Sequence, residues 1–377
     1  MVGAGGNALI SKTMGEQNYQ KANQLFSLFV YLSAAGGAVL AAAGIILIRP
    51  IAILLGADAA LLENSVIYGR ILLLSLPALI LQYEFQTFFV TAGRPKLGLY
   101  VTVIAGLANM LLDALFIAVF KWGIAGAAIA TAISAAAGGF IPLLYFGNTN
   151  TSLLHLSRAK FNGKALLIAC ANGSSELMSS VSESLIAVLY NFQLIRYAGE
   201  DGVAAYGILM YVNMIFSSAF FGYASGSAPV IGYHYGAQNH QELKSLLKKS
   251  LMVIGCFSIS MFVLSEFLAD PLSGVFASYD QQLLDMTVRG FRIYSFSFLL
   301  TGLALFSSSF FTALNNGLIS AIISFLRTLL FETATVIIFP LFWRLDGIWF
   351  SIVAAELMSA LVSVLCLIAL RKRYGYW

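Results

Sequence analysis

Six acidic residues stand inside apolar stretches of this chain: Glu84, Asp113, Glu176, Glu183, Glu332 and Glu356. An ionised carboxylate at the centre of a hydrocarbon slab costs about 2.5–3.5 kcal/mol, so each of these must face a cavity, a counter-charge or a proton. The tightest constellation is Asn109, Asp113 and Thr131. Asn109 and Asp113 are four residues apart, roughly 40° on a helical wheel, and so share a face. Asp113 lies nine residues before Trp122 and Thr131 nine after it, so a hairpin turning at Lys121-Trp122-Gly123 brings both to a depth of ~14 Å, near the middle of a bilayer. An amide oxygen, a carboxylate and a hydroxyl at one depth form a hard-oxygen set for a small cation such as sodium or for proton exchange. The alternative is a neutral Asp113 that hydrogen-bonds a neighbouring helix.

The other acids divide by their company. Glu332 and Glu356 lie twelve residues before and after Arg344, again at matched depth, and Arg327 stands where it can neutralise one of them, as buried charges usually require. Glu176 and Glu183, seven apart, share one helical face and are candidates to line a cavity that attracts cations, or to bond between helices. Glu84 sits beside Phe85, Phe88 and Phe89; an acid among aromatics suits an amphiphilic cation, although aromatic stripes more often form core or meet lipid.

The elements that hold these residues follow from composition. Hydrophobic residues make up 59% of the 377 and charged ones only 10%, with a mean hydropathy of +0.86, too little polar surface for a water-soluble globule. The expected fold is an all-α polytopic membrane protein, since lipid-facing backbone must satisfy its own hydrogen bonds. About ten apolar stretches are long enough to span, near 25–48, 66–92, 97–120, 124–146, 165–197, 203–233, 247–268, 286–313, 318–342 and 348–370. Lys12, Lys21, Arg94, Lys96, Arg158, Lys160, Lys164, Lys244, Lys248, Lys249, Arg371, Lys372 and Arg373 fall on alternate connections with only Glu16 and Glu242 among the acids. Basic connections stay cytoplasmic, which places the C-terminus and the 147–164 loop inside and the 270–285 loop outside. Cys170, Cys256 and Cys366 read as buried free thiols, and His155, His234 and His240 as loop histidines without metal-ligand spacing. Neither a phosphate-binding loop nor a nucleophile motif points to an enzyme. No cofactor, metal site or nucleic-acid partner is expected, and the chain reads as a monomer in the bilayer.

An internal repeat organises the spans. A displacement of 221 places Gly5, Ile10, Gly15, Gln17, Asn18 and Gln20 on Gly226, Ile231, Gly236, Gln238, Asn239 and Gln241. Two halves of parallel design follow, a recognised transporter plan.

GGNALISKTMGEQN, GSAPVIGYHYGAQN, the NMLLDALFI segment after a GRPK turn, and GIAGAAIATAIS together resemble the multidrug and toxic compound extrusion family, its bacterial drug-exporter branch, over essentially the whole chain. The resemblance implies two six-helix bundles of parallel repeat: an N-terminal bundle over 1–146, a cytoplasmic connecting loop at 147–164 and a C-terminal bundle over 165–377. Against the family pattern the first bundle lacks about one and a half helices, and with them an acid of its cation site, so the chain as given is expected to insert and to transport poorly. The implied function is proton- or sodium-coupled antiport that expels organic, cationic drugs and toxic compounds across the bacterial plasma membrane. By resemblance Asn109, Asp113 and Thr131 match the first-bundle cation site, and Glu183 stands near a functional acid of some members. The other readings are a flippase for lipid-linked oligosaccharide, which would want more than the few basic residues found inside spans, and a non-transporting remnant.

Overall fold

The computed structural model describes residues 1–54, 56 and 58–377, and every regular element among them is a helix, with no strand. The helices are α1 (Val2–Gly15), α2 (Tyr19–Leu54), α3 (Ala59–Thr91), α4 (Pro95–Asp113), α5 (Gly123–Gly147), α6 (Gly163–Asn172), α7 (Ser174–Gly236), α8 (His240–Ala277), α9 (Gln281–Ser295), α10 (Phe298–Ala313), α11 (Gly317–Ser324) and α12 (Thr333–Tyr374). Two π-helical segments, Ala114–Val119 and Phe325–Glu332, continue α4 and link α11 to α12. Two compact units divide the chain, Val2–Leu167 and Ile168–Trp377.

Among the described residues, seven helices are long and apolar enough to cross a membrane, and the bent pair α9–α10 makes an eighth. Two of the seven reverse direction within themselves. In α7 the break is Gly199, at φ 67° and ψ −152°. Tyr190 and Tyr206 consequently stack at 4.9 Å, although a straight helix would hold residues sixteen apart about 24 Å from each other. In α12 the break is Arg344, at φ 50°, which lets the α11-to-α12 ascent and the final descent pair. The spans expected at 165–197 and 286–313 are not continuous helices. The first is interrupted at Gly173 and the second bends by 49° around Phe296 and Ser297.

The repeated G-x-Q-N motif has a physical basis in a shared turn. Gln17 and Gln238 both adopt positive φ, 60° and 54°, ending α1 and α7 in a left-handed cap. The next asparagine opens the following helix: Asn18 Oδ1 accepts from the Lys21 N–H at 3.0 Å and Asn239 Oδ1 from the Glu242 N–H at 3.1 Å. A side-chain oxygen there satisfies a donor that the first helical turn leaves free.

Each unit has its own aromatic core. In Val2–Leu167, Phe26, Phe85, Phe88 and Phe146 pack edge-on and stacked with centroids 5.1–6.4 Å apart, and α3 and α5 meet so closely that a Cβ on Gly139 would collide with the Ala78 carbonyl oxygen. Residues 148–162 lie along this same unit. The Leu153 N–H donates to Ala92 O (3.2 Å), His155 N–H to Asn23 Oδ1 (2.9 Å) and Ser157 N–H to Ser27 Oγ (2.8 Å). In Ile168–Trp377 the core gathers Phe220, Phe298, Phe306, Phe310, Phe311 and Trp349.

Candidate functional site

The first unit brings together two of the three residues of the oxygen-rich constellation. Asn109 Nδ2 donates to Thr131 Oγ1 at 3.5 Å, a long bond across the α4–α5 hairpin. Asp113 closes α4 on the same face, and its Oδ1 is buried with no hydrogen-bond partner among the described residues. The hairpin that sets this depth turns at Lys121, where φ is 56°, and Trp122 stacks on Phe116 at 5.0 Å. Glu84 lies elsewhere. It is buried, its Oε1 accepts from Ser33 Oγ at 2.5 Å and its Oε2 has no partner among the described residues, while Gly3 packs against its stem. Phe85, Phe88 and Phe89 belong to the closed core of the unit and give the carboxylate no open aromatic wall.

The second unit holds a cavity of about 380 Å³. Glu183, Glu332 and Glu356 line it with a single basic residue, Arg327, and with Tyr190, Tyr206 and Tyr294. Arg327 is committed to Glu356. Its Nη2 reaches Oε1 at 2.6 Å and its Nε reaches Oε1 and Oε2 at 3.0 and 3.2 Å. The pair is 16% and 3% exposed. Glu183 and Glu332 have no such partner among the described residues, so the lining carries an excess of acid over base. Tyr190 donates to or accepts from Ser351 at 2.8 Å, which fixes one wall.

The π-helical segment explains how Arg327 and Glu332 come to share this cavity. Five residues apart in an α-helix they would diverge by about 140°, but in a π-turn the hydrogen bond spans five residues and aligns them. Glu176, nearly two turns along α7 from Glu183, lines a separate cavity of about 30 Å³ with Ser179, Ser225, Ser308, Ser324 and Arg327. The tyrosines and the π-segment are features that sequence reasoning missed. The tyrosines carried a weak signal, as polar-tipped rings inside spans, whereas the π-turn carried none.

The sequence profile of the MatE family matches residues 1–115 and 177–338. The multidrug export protein MepA of Staphylococcus aureus strain MRSA252 is 25% identical over 374 residues, 99% of this chain and 82% of that protein. MepA of Staphylococcus saprophyticus is likewise 25% identical, with the same coverage. The fold matches the crystal structure of MATE in complex with MaL6 at a TM-score of 0.93, with 20% identity over 98% of this chain and 85% of that one. It matches the crystal structure of a mutant of the Vibrio cholerae MATE transporter VcmN at 0.91, with 22% identity over 100% and 85%.

Proposed function

The chain belongs to the MatE family, and on that footing we propose that it is a multidrug exporter of the bacterial plasma membrane that expels organic cations in exchange for protons or sodium ions. Export of several drugs is the activity named for the MepA relatives. The observation that carries the coupling reading is Asp113: a carboxylate oxygen buried without a partner in an apolar helix, one turn from an asparagine that already reaches Thr131. An orphaned acceptor of that kind is costly unless a proton or cation visits it. The acid excess around the 380 Å³ cavity supports a cationic cargo, because low-dielectric walls concentrate the attraction. The basic connections support a cytoplasmic C-terminus.

The experiment is ethidium efflux from energised vesicles. Asp113→Asn keeps the shape and a hydrogen-bonding group but cannot cycle between charged and neutral forms. Ion-driven efflux should vanish while the variant still inserts and still binds ethidium. Undiminished efflux by Asp113→Asn would move the coupling step to the acids of the second unit.

A further inference from the structure

In the second unit a run of buried and half-buried hydroxyls connects the α10–α11 turn with the acid-lined cavities. Thr312 Oγ1 lies 2.7 Å from Ser320 Oγ, Ser320 Oγ 2.9 Å from Ser308 Oγ, and Ser308 Oγ 2.9 Å from Ser324 Oγ. At the cavity end, Ser308 and Ser324 open onto the 30 Å³ cavity that also holds Glu176 and Arg327, room for two or three waters at about 10–15 Å³ each. Arg327 borders the large cavity as well, so the small one adjoins the site of Glu183 and Glu332. At the α10–α11 end, Thr312 Oγ1 lies 3.5 Å from Ser175 Oγ, and the Thr312 main-chain O accepts from Asn172 Nδ2 at 2.9 Å. The Asn172 Oδ1 is buried and has no partner among the described residues.

We propose that Ser324, Ser308, Ser320 and Thr312 form a proton relay between the cavity acids of the second unit and the end of the bundle at the α10–α11 turn. The proposal rests on the ion-coupled reading above, with the proton as the ion. Hydroxyls at helix contacts also serve as interhelical glue, and isolated pairs would suffice for that. Here four oxygens in series stand at 2.7–2.9 Å, one end on a cavity that the Glu176 carboxylate also lines and the other 3.5 Å from the Ser175 hydroxyl. A hydroxyl is both donor and acceptor, which is what a relay needs. When Glu176 releases its proton to a water in the small cavity, that water passes one to Ser324 Oγ. Each oxygen in turn forms a new O–H on the cavity side and gives up its own O–H proton on the far side. One proton enters and one leaves from Thr312 Oγ1 by way of the Ser175 hydroxyl, 3.5 Å away, to solvent water at the α10–α11 turn; the hydroxyls are restored, and no electron moves. Rotation of the hydroxyls then resets their direction. Ser320 is the link without a bypass, since among the described residues it alone joins the Thr312 hydroxyl to that of Ser308.

The test uses the full chain in liposomes, with ethidium as cargo and a pH-sensitive dye read by stopped flow. Ser320→Ala should leave the ethidium Kd unchanged and slow ethidium-triggered proton release on the order of 10²-fold, the scale of a lost positioned proton donor. Its solvent deuterium isotope effect should differ from that of the parent. Ser307→Ala is the packing control, because Ser307 is fully buried on α10 yet outside the run, and it should release protons at the parent rate. Parent-like release by Ser320→Ala, or equal slowing by Ser307→Ala, overturns the relay while leaving ion coupling intact. A parent that releases no proton on binding ethidium but responds to sodium overturns the relay together with the proton form of the coupling.

Discussion

Replacing Arg327 with methionine removes the single positive charge from the lining of the large cavity while keeping most of the side-chain volume. In the native chain three short contacts, at 2.6, 3.0 and 3.2 Å, join this guanidinium to Glu356, whose side chain is only 3% exposed. Without the guanidinium that carboxylate has no counter-charge among the described residues. Breaking a buried pair from one side costs about 3–5 kcal/mol, which for a unit of this size lowers Tm by roughly 6–20 °C. Removing both charges has a different outcome, because Arg327→Met with Glu356→Gln leaves no orphaned ion and neutral replacements of buried pairs are often tolerated. The double variant should therefore recover most of the loss in thermal unfolding followed in detergent micelles. The assay is a double-mutant cycle of the parent, both single variants and the double variant. A double variant as unstable as Arg327→Met, or a single variant that melts with the parent, would refute the reading of Arg327 as the counter-charge of Glu356.

Three further outcomes are expected. Gly139→Ala should destabilise the first unit by about 1–3 kcal/mol, seen as a lower Tm, because its Cβ would collide with the Ala78 carbonyl oxygen and backbone cannot step aside. In a background with Cys170, Cys256 and Cys366 replaced, an impermeant maleimide added outside cells should label Tyr279→Cys, whose native residue is 80% exposed, and should reach His155→Cys only after permeabilisation; the reverse pattern would invert the orientation drawn from the basic connections. Gly375→Ala should loosen the C-terminal tail, since φ is 66° there and a Cβ would sit 2.5 Å from His240 Nδ1; faster carboxypeptidase trimming of Tyr376 and Trp377 is the readout.

Much of this protein is legible in one dimension because the bilayer imposes one-dimensional rules. Apolar length locates the apolar helices, and a hairpin counted outward from Trp122 puts Asp113 level with Thr131, whereas the side chain that meets Thr131 is that of Asn109, one turn further along α4. The G-x-Q-N repeat is likewise local, since a left-handed residue followed by an asparagine cap needs only its own backbone. Glu84 illustrates the limit. Its neighbours in sequence are phenylalanines, but its contacts are Ser33 and Gly3 from other helices, and an aromatic neighbour one residue away on a helix points about 100° aside.

Charge and hydropathy patterns thus determined the membrane class and the apolar stretches, and matched residues the repeated turn. Tertiary structure alone decided the partners. Arg327 could have answered Glu332 or Glu356 by sequence, and it is Glu356 that holds it. The π-turn at Phe325–Glu332 turned Glu332 into the same cavity, against the phase an α-helix would give it. The bends near Gly173 and Ser297 broke two spans that hydropathy reads as continuous. The serines of α10 and α11 joined into one run only when the two helices packed. Hydropathy reports how deep a residue lies, whereas rotation about the helix axis is set by the neighbours against which the helix packs, and those neighbours come from distant parts of the chain.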